Sequence, residues 1–254
     1  MRSMLTLKKS LGQHFLIDES VSRRIVEILQ QRPLNNLMEI GPGGGALTKY
    51  LVKLPGVNLK CIEIDDEKIK FLANTFPQLK NNIIHEDILE THVPFSEPFT
   101  IAGNFPYNIS TQIVFKILEW RSQVETMVGM FQKEVAQRIA AKEGSRIYGV
   151  TSVLVQSFFA VEYLFEVDEH AFNPPPKVKS AVIRMTPLEI PVKVKSERAL
   201  NVLVKTAFNQ RRKTLRNAVK SLFTADELKD EIFNKRAEAL SVQQFADLTF
   251  RMNQ

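Results

Sequence analysis

The sequence predicts an α/β fold, a mostly parallel and doubly wound sheet, followed by a small helical domain. Three observations carry that expectation. Apolar strand patterns alternate with helical ones as far as Pro187, a run of glycines joins the first long strand to its helix, and no strand pattern survives beyond Pro191. Parallel neighbours require crossover helices, so this alternation argues for parallel pairing.

The elements follow in chain order. Asp18 is placed to cap a helix whose apolar residues Val21, Ile25, Ile28 and Leu29 recur at helical spacing, ended by Pro33 and Asn35-Asn36. Leu37 to Ile40 reads as a strand running into Gly41-Pro42-Gly43-Gly44-Gly45, with a helix from Ala46 to Lys53. Val57 to Ile64 is a second strand, and Asp65 caps a helix carrying Ile69, Leu72 and Phe76. Asn82 to His85 and Phe99 to Ala102 are further strands, and Ser110 is expected to cap a helix from Thr111 to Trp120. Val124 to Phe131 is a strand, Gln132 to Lys142 and Gly149 to Phe159 are helical, and Tyr163 to Val167 and Val178 to Met185 are the last strands. Those two frame the proline-rich loop Phe172-Asn173-Pro174-Pro175-Pro176 and are expected to close the sheet edge antiparallel. Glu197 to Asn253 reads as several short helices, which places the domains at 1–188 and 189–254.

With 254 residues, 44% hydrophobic and 24% charged, the chain is long enough for one large domain and an appendage, and disorder or coiled coil is excluded for the whole. The formal charge of +6 is unevenly spread. Residues 190–220 hold nine Lys or Arg against the single acid Glu197, which leaves −2 for the rest of the chain. A localised basic stretch is the footprint of a polyanionic partner. One cysteine, Cys61, excludes an intramolecular disulfide, and the four scattered histidines show no zinc spacing, so no metal is expected. Without a signal-peptide core at the start or an uninterrupted apolar run long enough to span a bilayer, a cytoplasmic protein with no membrane partner is expected.

Four of the ten glycines fall within residues 41–45. Glycine permits positive φ and close approach of a ligand to a strand-to-helix turn. Gly41 to Ala46 satisfies the dinucleotide pattern G-x-G-x-x-A, and Glu63, 22 residues after Gly41, is spaced to bind ribose hydroxyls. The turn alone does not separate NAD from S-adenosylmethionine, since both carry an adenosine. Asp87, or its neighbour Glu86, at the end of the third strand can accept from an adenine amino group.

Gly103-Asn104-Phe105-Pro106-Tyr107-Asn108 closes the fourth strand and selects the chemistry. It offers an amide acceptor, a rigid proline and an aromatic face, a receptor for a planar heterocycle with an exocyclic amine. An adenine N6 lone pair is delocalised into the ring. Two acceptors, the Asn104 side-chain carbonyl and the main-chain carbonyl of Phe105 or Pro106, can hold both amino hydrogens and favour a pyramidal nitrogen facing a methyl donor. Tyr107 can stack on the base, a contact worth about 1–3 kcal/mol in nucleic-acid complexes. A sulfonium is a good leaving group, so positioning carries most of the step.

Gln13-His14-Phe15-Leu16, Glu39 to Thr48, Glu63-Ile64-Asp65, Glu86-Asp87, Asn104 to Tyr107, Phe172 with Pro174, Pro176, Lys177, Val178 and Ser180, and Phe208 with Gln210 to Arg216 occur in one order along nearly the whole chain. In that order they resemble the family of small-subunit ribosomal RNA adenine N6,N6-dimethyltransferases. The resemblance implies a Rossmann-like S-adenosylmethionine-dependent methyltransferase domain and a C-terminal helical RNA-binding domain. The implied reaction puts two methyls on N6 of each of two adjacent adenosines in the 3′-terminal hairpin of 16S rRNA, in the immature 30S subunit, by a monomer. It implies that His14 and Leu16 border the methionine end of the cofactor, Gly41 and Gly43 line its turn, Glu63 binds the ribose and Asp87 the adenine. Asn104 then lies between cofactor and target base, with Phe105, Pro106 and Tyr107 completing the catalytic set. Two positions depart from the common pattern: His14 stands for Asn and Phe105 for Leu.

For RNA, the candidates are Arg211, Arg212, Lys213 and Arg216, with Lys177 in the proline-rich loop, and Lys8 and Lys9 as a weaker phosphate site. A helix through this stretch would set Arg212 and Arg216 one turn apart, with Phe208, Leu215 and Val219 packing beneath; arginine favours bidentate phosphate contact. An NAD-dependent oxidoreductase leaves the Asn104 motif and the basic stretch without a task. A non-catalytic assembly factor leaves the cofactor crevice without one. The nearer alternative is the related large-subunit rRNA adenine methyltransferase of the macrolide-resistance type.

Overall fold

Five parallel strands make up one side of a seven-stranded sheet in the computed structural model, which describes residues 14–253. Lys8 and Lys9 lie outside the described residues. The elements are β1 (Phe15–Leu16), α1 (Glu19–Leu29), β2 (Asn36–Ile40), α2 (Thr48–Leu51), β3 (Asn58–Glu63), α3 (Asp66–Thr75), β4 (Ile83–His85), β5 (Phe99–Asn104), α4 (Ser110–Glu119), β6 (Val124–Gln132), α5 (Lys133–Ala140), α6 (Val150–Gln156), β7 (Phe159–Val167), β8 (Phe172–Asn173), β9 (Ser180–Pro187), α7 (Glu197–Asn209), α8 (Leu215–Ala218) and α9 (Val242–Arg251).

The sheet runs β4-β3-β2-β5-β6-β9-β7, and β9 lies antiparallel to β6. Strand order reverses between β2 and β5, and open α/β sheets bind ligands at the carboxyl ends of the strands at such a point. The inner parallel strands β2 and β5 are buried and read as near-continuous apolar runs: Leu37, Met38 and Ile40 in β2, and Phe99, Ile101 and Ala102 in β5.

Local chemistry sets the element ends. The Asp18 carboxylate accepts from Ser20 N at 2.8 Å and starts α1, and Asp65 does the same for α3 through Glu67 N at 3.0 Å. The helix expected from Ala46 to Lys53 contracts to Thr48–Leu51, because Gly43 and Gly45 stand at φ +55° and +77° and hold the chain in turns until residue 47. Ser110 is not the cap of α4. That position is Ile109, and the Ser110 hydroxyl donates to Tyr107 O at 3.2 Å. The pairing of β1 with β8 was not expected, since two-residue strands carry no periodicity.

Contacts divide the chain into two units: one is residues up to Ala136 with Glu162–Thr186, the other Gln137–Val161 with Pro187 onward. The chain passes between the units three times, after Ala136, after Val161 and, the third crossing, after Thr186. Residues 137–161, which precede it, join the helical unit through spatial contacts that a linear boundary does not register. In that unit Phe208 stacks on Phe245 at 5.8 Å and meets Tyr148 edge-on at 6.0 Å. Among the described residues no helix is long and apolar enough to cross a membrane.

Candidate active site

A crevice at the carboxyl ends of β2 to β5 brings together, within the sheet unit, every residue assigned above to cofactor or catalysis. His14, Leu16, Gly41, Gly43, Glu63, Asp87, Asn104, Phe105, Pro106 and Tyr107 all line it. The glycine turn is its floor. Gly41 at φ +66° donates to Ile62 O at 3.0 Å, and a Cβ there would meet Pro106 Cδ at 3.6 Å. The glycine turn and the Asn104 to Tyr107 motif, 63 residues apart, are therefore direct neighbours.

Glu63 ties the turn to the end of β3. Its carboxylate accepts from Gly43 N at 3.2 Å, Ile64 N at 3.0 Å and Asp65 N at 3.1 Å. Three main-chain donors fix its direction and leave acceptor capacity for a hydroxyl. One oxygen of Asp87 caps its own turn by accepting from Leu89 N at 2.9 Å, while Glu86 is exposed.

Asn104 ends β5 half-buried, and among the described residues no group hydrogen-bonds its carboxamide. The two main-chain carbonyls left open by the sequence differ. Pro106 O accepts from Ile109 N at 3.3 Å, whereas Phe105 O accepts from none of the described residues. Asn104 and Phe105 thus supply two acceptors that no group among the described residues occupies. The Phe105 ring itself is buried, and the space it needs is provided by glycines at 103 and 129.

Tyr107 is held at both ends. Its hydroxyl pairs with the buried Ser180 hydroxyl of β9, and its ring lies 5.5 Å from the His14 imidazole at 31°. Burial raises the phenol's pKa and keeps it neutral, with the Ser180 hydrogen bond opposing. His14 Nδ1 is 2.8 Å from Pro174 O, so the chain entering β1 is fastened to the proline-rich loop.

Sequence reasoning placed Glu39 at the head of the Glu39 to Thr48 motif and gave it no role of its own. It is the fourth residue of β2, its carboxyl buried under the crevice, where it accepts from Thr48 Oγ1 at 2.7 Å and lies 3.7 Å from Cys61 Sγ. Burial pushes its pKa up to about 7, the Thr48 and Cys61 contacts oppose, and the neighbouring Glu63 charge adds to the rise. The available signal was an acid in an otherwise apolar strand. Lys68, buried with its ammonium 5.7 Å from the Phe15 ring, also lines the crevice.

Known proteins share the chain's sequence pattern and its fold. A profile described as ribosomal RNA adenine dimethylase matches residues 4–254. The chain belongs to that family. Two similar relatives, each named "Ribosomal RNA small subunit methyltransferase A", come from Cytophaga hutchinsonii, 51% identical over 95% of both chains, and Flavobacterium johnsoniae, 52% identical over 95% of this chain and 94% of the relative. The fold matches crystal structures of the 23S rRNA methyltransferase ErmE, with TM-score 0.73 and 24% identity over 94% of this chain and all of that one. It also matches a dimethyladenosine transferase from Plasmodium falciparum, with TM-score 0.78 and 24% identity over 94% and 99%. The architecture is accordingly that of the Rossmann-like methyltransferases, as the family resemblance implies.

The basic stretch departs from its expected form. Residues 210–213 are a turn between α7 and α8, so Arg212 and Arg216 do not share a helix. Leu215 and Val219 are buried as anticipated. Arg211 is engaged inside the helical unit, donating to Arg146 O and lying 3.9 Å from Glu238, and Arg216 Nε donates to Leu228 O at 2.9 Å. Arg212 and Lys213 are exposed, as is Lys177 in the sheet unit's loop.

Proposed function

We propose that this chain transfers methyl groups from S-adenosylmethionine to N6 of two adjacent adenosines in the 3′-terminal hairpin of 16S rRNA, two per base, on the immature 30S subunit. The observation that carries the reading is the free pair of acceptors, the Asn104 carboxamide and the Phe105 carbonyl, at the end of β5 beside the glycine turn. The small-subunit reading is favoured over the large-subunit alternative because relatives near 50% identity carry the small-subunit name, whereas the 23S enzyme is 24% identical.

The residues present suit the cofactor. Glycines at positive φ leave a cradle without Cβ atoms, Glu63 is aimed by three main-chain donors, and Ile64, half exposed beside it, offers an apolar face for a base. His14 and Leu16 would border the methionine end, Gly41 and Gly43 the turn, Glu63 the ribose and Asp87 the adenine. Bound there, S-adenosylmethionine supplies an electrophilic methyl on a good leaving group.

The chain's own contribution is orientation. Asn104 Oδ1 and Phe105 O accept the two amino hydrogens of the target adenine and direct its lone pair into the crevice, while Tyr107, clamped by His14 and Ser180, supplies a face for the ring. Holding reactants in a near-attack arrangement can contribute several kcal/mol. Arg212 and Lys213 are the stronger phosphate contacts, with Lys177 on the sheet unit; Arg211 and Arg216 contribute charge from positions already tied to main chain. The protein acts as a cytoplasmic monomer.

The test incubates purified protein and labelled methyl donor with immature 30S particles and, separately, with large subunits, and then maps the methylated base. Dimethyladenosine at two adjacent positions of 16S rRNA is expected. Label confined to the large subunit, or retention of NAD in place of S-adenosylmethionine in dialysis, overturns the reading.

A further inference from the structure

Phe105 contributes more to the crevice than a carbonyl. Its ring, 1% exposed, lies across two glycines that are register partners on adjacent strands, Gly103 of β5 and Gly129 of β6. A Cβ on Gly103 would stand 2.6 Å from Phe105 Cε1, and one on Gly129 would stand 2.2 Å from Cε2, closer than non-bonded carbons approach. The ring edge also meets Phe131, with centroids 4.8 Å apart at 62°. The two strands thus leave out a facing pair of β-carbons and create a niche that one aromatic ring fills.

The niche holds the backbone as well as the side chain. Phe105 N donates to Met130 O at 3.1 Å, so the residue is fixed at its nitrogen and at its ring, and its carbonyl direction follows. Among the described residues no hydrogen bond holds the Asn104 carboxamide, so its placement depends on the same backbone. A planar ring with two rotatable bonds, enclosed on both sides, permits far less adjustment than an aliphatic chain.

We propose that Phe105 is a positioning residue whose ring, seated in the Gly103–Gly129 niche, aims its own carbonyl and the Asn104 carboxamide at the amino group to be methylated. This rests on the reading of the crevice as an adenine N6 methyltransferase site.

Four chains test it: wild type, Phe105→Leu, Gly129→Ala and the double variant. Each is assayed for cofactor Kd by dialysis, for kcat and KM on immature 30S particles, and for the ratio of mono- to dimethyladenosine. Phe105→Leu is expected to lower kcat on the order of 10–100-fold, as misplacement of reacting groups does, and to raise the monomethyl fraction. Cofactor Kd and the KM for particles stay near wild type, the pattern of an interaction lost in the transition state. Gly129→Ala, which must push the ring aside, acts in the same direction. In the double variant the alanine methyl occupies space the ring vacated, so kcat recovers above that of Phe105→Leu. Should Gly129→Ala fail to fold, the comparison of Phe105→Leu with the double variant still decides. Wild-type kcat in Phe105→Leu, loss of cofactor binding together with turnover, or a double variant no faster than Phe105→Leu overturns the proposal. A wild-type chain that puts no methyl on adenine N6 removes the functional reading first and this inference with it, a result visible before any variant is compared.

Discussion

Replacing Glu39 with Gln should flatten the dependence of stability on pH. The Glu39 carboxyl is buried beneath the crevice beside Cys61 and Glu63, and its pKa is raised from 4.5 to about 7. A raised pKa means the folded state holds the proton more tightly than the unfolded chain. The stabilising contribution is therefore complete below the unfolded value and is lost as pH rises through the folded one. With those two values the loss between pH 5 and pH 8 comes to about 2.5 kcal/mol, against a ceiling of about 1.4 kcal/mol for each unit of displacement. Glutamine keeps the acceptor for Thr48 Oγ1, at 2.7 Å in the wild type, and cannot ionise. The assay is urea unfolding of both chains at several pH values in that window without added cofactor. Titrating groups remote from Glu39 are common to both chains and cancel in the difference, and the coupling of Glu39 to Cys61 and Glu63 is part of what the difference reads. The wild type should lose about 2–3 kcal/mol more than Glu39→Gln across the window. Parallel curves would refute the reasoning, because they would mean that Glu39 ionises in the folded chain as easily as in the unfolded one.

Asn104→Ala should lower methyl transfer on the order of 100-fold or more while cofactor Kd in dialysis stays near wild type, since a preorganised polar contact to the reacting group is removed and the cradle is not. Gly45→Ala combines a backbone at φ +77° with a Cβ 2.7 Å from Phe76 Cε2, so it should cost about 2 kcal/mol or more, read as a lowered urea midpoint together with weaker cofactor binding. Arg212→Ala with Lys213→Ala should make the slope of log affinity for rRNA against log salt shallower by about 1.4–1.8, at roughly 0.7–0.9 per phosphate contact, with the unfolding midpoint unchanged because both side chains are exposed. Arg211→Ala, by contrast, should also lower the midpoint, since it breaks the ties to Arg146 O and Glu238.

Legibility in the sequence followed the range of the interactions. Asp18 and Asp65 were readable as caps because a side chain binding the backbone two residues on is a local event. Ser110 was misread although the cause is local: its hydroxyl bonds Tyr107 O three residues back, inside the Asn104 to Tyr107 turn, and the cap position falls to Ile109. The short α2 reflects glycine conformations that the pattern G-x-G-x-x-A permits without specifying. Glu39 was legible as part of a motif but not as a buried acid, because neither its period nor its charge reveals that Thr48, Cys61 and Glu63 surround it. The basic stretch was legible as charge, and the turn that divides Arg212 from Arg216 was not.

By itself the sequence determined the strand and helix alternation, the glycine turn, the Asn104 to Tyr107 motif and the concentration of positive charge. Each rests on residue types, or on spacings within a few tens of residues, that backbone geometry translates directly. Only the tertiary structure decided that Gly41 abuts Pro106, that Pro106 O accepts from Ile109 N while Phe105 O meets no donor among the described residues, and that residues 137–161 pack with the C-terminal helices. Those outcomes depend on which strand lies beside which. Pairing β2 with β5 sets two distant chain segments at one sheet edge, and the burial and hydrogen bonding that follow are properties of that neighbourhood.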